Sequence, residues 1–270
     1  EAGNFPAAIK TTAEYFPKKD RALATSIFNA GATVGALAAP LSIPFIAKAM
    51  GWEMAFIIIG ALGFVWMGLW VFYYKKPQLH PKVNQLELDY IHQDVEDCSR
   101  ETSPDLENKF SLKECFGYKQ TWAFAFGKFM TDGVWWSYLF WTPAYLSSVY
   151  KMDSTQSALP LFVLYIITLL SIIGGWLPSF FVDKKGMNPY SGRMRAMLIF
   201  AFFPLLALLA QPGGKISYWI PVIIIGIAGA AHQAWSANIF STVGDMFPKR
   251  AIATITGIGG LAGGIGSTLI

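Results

Sequence analysis

Apolar residues run through this chain in blocks too long for a soluble core, and polar residues are gathered into the breaks between them. About 20 apolar helical residues cross a bilayer core. On that measure the pattern predicts helical spans over 22–48, 54–74, 120–148, 156–182, 195–211, 218–244 and 251–270, with residues 1–16 as the remaining half of an eighth helix. The one long polar stretch, 75–119, separates a first group of helices (1–74) from a second (120–270). Within it, Leu86-Glu87-Leu88-Asp89-Tyr90-Ile91 and its continuation to Arg100 predict a short amphipathic helix at the membrane surface, ended by Ser103-Pro104-Asp105. A solvated connector is the role expected of that stretch. The chain opens on Glu1 and closes at Ile270 inside an apolar run, so it is expected to be a piece of a longer protein that has further helices at both ends.

A short cassette occurs twice, and it relates the two groups. Glu14-Tyr15-Phe16-Pro17-Lys18-Lys19-Asp20-Arg21-Ala22-Leu23-Ala24-Thr25 is matched by Asp245-Met246-Phe247-Pro248-Lys249-Arg250-Ala251-Ile252-Ala253-Thr254. Each copy runs from an acidic residue through Phe-Pro and lysine to Arg-Ala-x-Ala-Thr, and a Gly/Ala-rich stretch follows. A parallel repeat in a helical membrane protein implies two similar bundles, and such pairs commonly enclose a substrate site near mid-membrane. The small residues at 30–39 and 257–264 let helix backbones approach closely, and Pro40 and Pro44 are expected to bend their helix.

Hydrophobic residues make up 54% of the chain and charged residues 14%, which excludes an ordinary soluble domain. The net charge of +4 is not a nucleic-acid signature, because the basic residues follow topology. With the cassettes, 75–119 and 183–195 on one side, that side carries sixteen Lys and Arg, while the other has only Lys48, Lys151 and Lys215. The positive-inside rule makes the rich side, linker included, cytoplasmic, and the protein a multi-pass inner (plasma) membrane protein. Cys98 and Cys115 fall in the linker without histidines at metal spacing, and a reduced, idle pair is expected. No cofactor or metal is implied.

Polar groups inside spans are the candidate site, since an ionisable residue there costs about 2.5–3.5 kcal/mol on insertion scales. Glu1 lies about 24 Å from the turn at Pro17 at 1.5 Å per residue, near mid-membrane. It is read as a titrating proton carrier, the alternative being a permanent pair with a cation on another helix. Lys128 and Asp132 share one helix face, one turn apart. They form either a structural pair or a site in which Lys128 attracts a substrate carboxylate while Asp132 holds the lysine or takes the proton. Trp135, Trp136, Tyr138 and Trp141 would floor a sugar ring or face lipid. His232, Gln233, Trp235, Ser236 and Asn238 cluster mid-span and suit a polyhydroxylated ligand, with interhelical hydrogen bonding as the alternative. Asn29, with Thr25, Ser26 and Thr33 nearby, supplies a further candidate. Glu14 and Asp245 are expected to pair with Arg21, Arg250 or other loop cations as cytoplasmic gate latches, helix-end pairing being the alternative.

Three stretches carry a family resemblance. EAGNFPAAIKTTAEYFPKKDRALATSIFNAGATVGALAAPL is similar to the fourth helix, turn and fifth helix of the anion:cation symporter branch of the major facilitator superfamily. GKFMTDGVWWSYLFWTPAYL resembles the seventh helix of its proton-coupled hexuronate transporters, and AHQAWSANIFSTVGDMFPKRAIATITGIGGLAGGIG the tenth and eleventh. The resemblance implies an all-α membrane fold, about helices 4 to 11 of 12, in two pseudo-symmetric bundles. It also implies proton-coupled uptake of a sugar acid such as glucuronate or galacturonate by alternating access, with a glutamate at the position of Glu1 taking part in coupling. The expected partners are the sugar acid, protons and the lipid bilayer, with no nucleic acid, and the protein is expected to act as a monomer. One departure is the loop after Gly174-Gly175-Trp176-Leu177, where the acid is displaced to Asp183. A carrier for aldonates, dicarboxylates or other organic anions is the nearest alternative. A membrane-embedded enzyme using His232 as a base lacks a companion catalytic group, and a scaffold would leave the buried polar groups unexplained.

Overall fold

The computed structural model describes residues 3–93, 111–153 and 156–269, with the side chains at 40, 41, 44, 249 and 250 outside the description. Glu1 and Cys98 also lie outside it, as do the continuation of the linker helix and its Ser-Pro-Asp break. Among the described residues every regular element is helical. The first group comprises α1 (Asn4–Tyr15), α2 (Arg21–Met50) and α3 (Trp52–Tyr73). Two short linker helices follow, α4 (Gln85–Ile91) and α5 (Leu112–Gly117). The second group comprises α6 (Lys119–Tyr150), α7 (Ala158–Thr168), α8 (Ile173–Lys185), α9 (Pro189–Phe202), α10 (Ala210–Gly214), α11 (Trp219–Met246) and α12 (Lys249–Thr268). Short 3₁₀ segments, Leu169–Ile172 and Phe203–Leu209, join α7 to α8 and α9 to α10, so each pair forms one long rod.

Six rods are long and apolar enough to cross a membrane: Arg21–Ala39, Trp52–Tyr73, Ala158–Lys185, Pro189–Gly214, Trp219–Met246 and Ala251–Thr268. The protein is therefore a multi-pass membrane protein. Helix α6, expected as a further span, has the length at 32 residues but is not among the six. Lys128, Asp132 and its hydroxyl residues dilute its apolar character. The backbone of α2 stays helical through positions 40 and 44, so the expected proline bend does not interrupt it.

The two groups meet along one seam. Near the basic turns α2 lies against α11, where Arg21 Nη1 donates to the Gly244 carbonyl at 2.7 Å and Ser241 Oγ bonds Thr25 Oγ1 at 3.1 Å. A core of Ile9, Ala13, Ile252 and Ile255 packs α1 against α12 beside it. The linker docks on the same end: Tyr90 of α4 donates to Asp20 at 2.5 Å, and Lys19 Nζ lies 4.9 Å from the Tyr90 ring centre. Thus α4 sits on the first cassette turn rather than free at a membrane surface. Asn84 caps it by accepting from the Glu87 N–H at 2.8 Å. Cys115 is buried, and that burial, aided by Glu114, pushes its thiol above the usual range, which fits an unreactive role.

Glycines in α12 form two interleaved stripes. A Cβ on Gly266 would run into the Phe129 backbone, and one on Gly263 into the Asp132 carboxylate, whereas Gly257, Gly260 and Gly264 face open space. The first stripe lets α12 lie close on α6; the second lines a cavity. Gly266→Ala is expected to lower stability by about 1–3 kcal/mol through backbone overlap. Gly260→Ala should be neutral or slightly stabilising, by up to about 1 kcal/mol of helix propensity. Thermal unfolding in detergent reads both.

Candidate functional site

Between the groups, on the far side of the sealed seam from the basic turns, lies a cavity of about 830 Å³. That volume falls within the usual range for small-ligand sites. Phe5 and Pro6 of α1 line it, with Asn29 and Ala32 of α2, and Lys128, Asp132, Trp135 and Trp136 of α6. Helix α11 contributes His232, Gln233, Ser236 and Phe240, and α12 contributes Thr256, Leu261, Ile265, Thr268 and the open glycines. The spacing on α11 is one helical stripe, i, i+1, i+4 and i+8, which is why one face delivers four side chains.

Charge in the cavity is carried by α6. Lys128 Nζ donates to Asp132 Oδ1 at 2.5 Å, a contact made possible by their i,i+4 spacing. Lys128 is only 4% exposed, and its ammonium lies 4.3 Å from the Phe240 ring centre, a cation–π contact that partly replaces lost hydration. The same cavity is crossed at the seam by an amide bridge: Asn29 Nδ2 lies 3.2 Å from Gln233 Oε1 and 3.3 Å from the Gln233 carbonyl. His232 stacks in parallel with Trp135, centroids 6.3 Å apart at 7°. Beneath them Phe5 and Phe28 of the first group meet at 5.1 Å, and Phe5 stacks on Phe240 of the second at 5.4 Å. This aromatic plug lies between the cavity and the basic turns.

Several expected residues go elsewhere. Asn238 is fully buried, and its amide donates to the Gly174 and Ala234 carbonyls at 2.7 and 2.8 Å. It ties α11 to α8 where Gly174 lets the helices touch, and does not line the cavity. Trp235 packs with Ile239 and Ala234 in the core on the adjoining face of α11. Tyr138 and Trp141 do not line the cavity, and Trp141 is 68% exposed, an outward aromatic. Thr25 and Ser26 are buried along the seam below it.

The gate residues also find other partners. Glu14 accepts from the Tyr74 hydroxyl at 2.6 Å and lies 3.9 Å from Lys10. Burial together with Glu14 pushes the Tyr74 hydroxyl up to about 12, so it stays a donor throughout the physiological range. Arg21 spends its guanidinium on the Phe16, Ala13 and Gly244 carbonyls. Asp245 pairs with Arg193 at the start of α9, a loop cation, and Arg193 also bonds the Lys18 carbonyl of the first group and the Ser241 carbonyl. Arg250 lies outside the described side chains. Sequence reasoning gave Arg193 no gate role, and Phe5, Phe240 and Thr256 no site role. Among the described residues no cluster of His, Cys, Asp and Glu could hold a metal.

Known proteins match this chain along its whole length. The hexuronate transporter of Escherichia coli (strain K12) is 29% identical, covering all of this chain and 61% of its own length. The galacturonate transporter of Dickeya chrysanthemi is 29% identical over 86% of this chain and 65% of its own length. The probable galactarate/D-glucarate transporter GarP of Escherichia coli (strain K12) is 25% identical over 99% of this chain and 61% of its own length. The chain thus spans about three-fifths of the length of these relatives. The Major Facilitator Superfamily model matches residues 1–270, and the all-helical, membrane-spanning fold agrees with it: this chain belongs to the Major Facilitator Superfamily.

Proposed function

We propose that the chain forms the substrate-carrying part of a secondary active transporter that takes up a hexuronate or related sugar acid with protons, by alternating access in the inner membrane. The observation that carries this is a cavity lined from both groups by a buried cation and by hydrogen-bonding amides. A sugar acid has the complementary shape: one carboxylate, a ring of hydroxyls and an apolar ring face. Lys128 receives the carboxylate, Asn29, Gln233, Ser236 and His232 bond hydroxyls, and the indoles of Trp135 and Trp136 lie against the ring. Residues 1–74 and 120–270 act as the two rocking bundles, 75–119 as a cytoplasmic linker, and the carrier works as a monomer. Glu1 and Asp132 carry the coupled protons, and the Arg21 and Arg193 contacts close the cytoplasmic side.

Relatives that carry hexuronates and galacturonate support the substrate class. The probable galactarate/D-glucarate transporter and the D-galactonate transporter among them support the nearest alternative, an aldarate or aldonate. Radiolabelled glucuronate uptake into proteoliposomes, with and without an inward proton gradient, tests the proposal. The wild type is expected to accumulate glucuronate only with the gradient. Glu1→Gln should lose that accumulation and keep counterflow exchange. Uphill uptake preserved in Glu1→Gln removes Glu1 from the coupling, and glucuronate uptake indifferent to the gradient overturns symport.

A further inference from the structure

The lysine that would attract a substrate carboxylate already holds one. Lys128 and Asp132 are in contact, yet unequal: the lysine side chain is 5% exposed and the aspartate side chain 19%. The cation is fixed from the other side by the Phe240 ring, itself stacked on Phe5 across the seam. The anion is the more accessible partner, so it is the one able to swing, meet water and exchange a proton. Its seat is shaped for a small group, because Gly263 of α12 lies directly against its carboxylate and any side chain there would push it away.

Few other charges face this pair. Lys128 comes from Asp132's own helix and His232 from α11, while α12 brings glycines and the hydroxyls of Thr256 and Thr268 to the cavity. From α1 and α2 come Phe5, Pro6, Asn29 and Ala32. Among the described residues the charges of Lys128 and Asp132 cancel each other. A second carboxylate at Lys128 would leave the site net negative in a low-dielectric surrounding, which favours protonating one of the two acids.

We infer that Asp132 occupies on Lys128 the place that the substrate carboxylate takes: the entering acid displaces Asp132 from the ammonium, and Asp132 takes up one proton as it leaves. The proton comes from the medium on the loading side and rides on the Asp132 carboxyl oxygen. It is released when the substrate departs and Asp132 pairs again with Lys128. No net charge is added to the site at any stage. This step rests on the sugar-acid function proposed above and specifies how its coupling works at this pair.

The test is glucuronate binding to the purified protein in detergent, followed by tryptophan fluorescence over a pH series, with proton uptake read by an indicator dye in weak buffer. Asp132→Asn should bind at neutral pH with affinity that changes less with pH, by about tenfold less per unit wherever Asp132 is ionised in the free protein. It should also take up one proton fewer per glucuronate than wild type. The double variant Lys128→Gln/Asp132→Asn buries no lone charge, so it keeps the test available if the single variant does not fold. It should bind glucuronate more weakly and likewise lack that one proton. An unchanged proton count and pH slope in either folded variant overturns the exchange at Lys128 and leaves the transport function standing. Wild-type protein that binds no glucuronate, galacturonate or galactonate overturns the function itself, and the exchange with it.

Discussion

Lys128→Gln lowers glucuronate affinity and initial uptake ten- to a hundredfold while the protein remains folded. A hydrogen bond to a charged group is worth about 1.5–3 kcal/mol, and each 1.4 kcal/mol is a factor of about ten in binding. The bare attraction of two unit charges at 4 Å is about 4 kcal/mol at an effective dielectric of 20, and loss of the bond to Asp132 offsets part of it. Folding is expected to survive because the partner left behind, Asp132, is partly exposed to the cavity and becomes neutral by taking a proton. A glutamine at 128 can still hydrogen-bond to it. Neutral sugars supply the control: weak binding of glucose should be the same in wild type and variant. Equal glucuronate uptake by both proteins would place the carboxylate elsewhere.

The second large effect is expected at the other end of the seam. Arg193 is 1% exposed, pairs with Asp245 and reaches the Lys18 carbonyl across the seam. Arg193→Ala leaves the Asp245 carboxylate buried without this partner, and breaking a buried pair from one side costs about 3–5 kcal/mol. It also removes one of the ties between the two groups at the basic-turn end of the seam. A lower unfolding temperature is expected, together with rapid maleimide labelling of a cysteine placed at Thr25, a site 1% exposed between α2 and α11. Arg193→Ala/Asp245→Asn should recover much of the stability, because no unpaired charge remains, but should stay labelled. An unlabelled Thr25→Cys in both backgrounds would show that Arg193 stabilises the second group without holding the seam.

Most of the architecture was legible in the chain because lipid enforces it. Long apolar runs must become helices, and the predicted spans match the helical rods to within a few residues except at the ends of 195–211. Pro189 at the first turn of α9 starts that rod earlier, and α10 (Ala210–Gly214) carries it past 211. The contact between Lys128 and Asp132 was also legible, since i,i+4 spacing fixes it before any tertiary packing forms. What was not legible depends on rotation about a helix axis. Gln233 and Ser236 face the cavity while Trp235 and Asn238 face the core, because Gly174 of α8 lets α11 approach closely at Ala234 and its carbonyl accepts from the Asn238 amide. That glycine is 64 residues away in the chain. Which cation each latch acid meets was not legible for a similar reason. Arg21 is surrounded by helix-end carbonyls, and Asp245 meets Arg193 because α9 and α11 are neighbours. The α12 glycines did carry a readable signal: two sets at i, i+3 or i+4, and i+7 indicate two faces, one packed and one open.

The most direct measurement is an experimental structure of the protein with glucuronate bound. The sugar carboxylate is expected on the Lys128 ammonium, with Asp132 turned away from it and ring hydroxyls within hydrogen-bond reach of Asn29 and Gln233. Glucuronate seated outside this cavity, or inside it with its carboxylate remote from Lys128, would contradict the account.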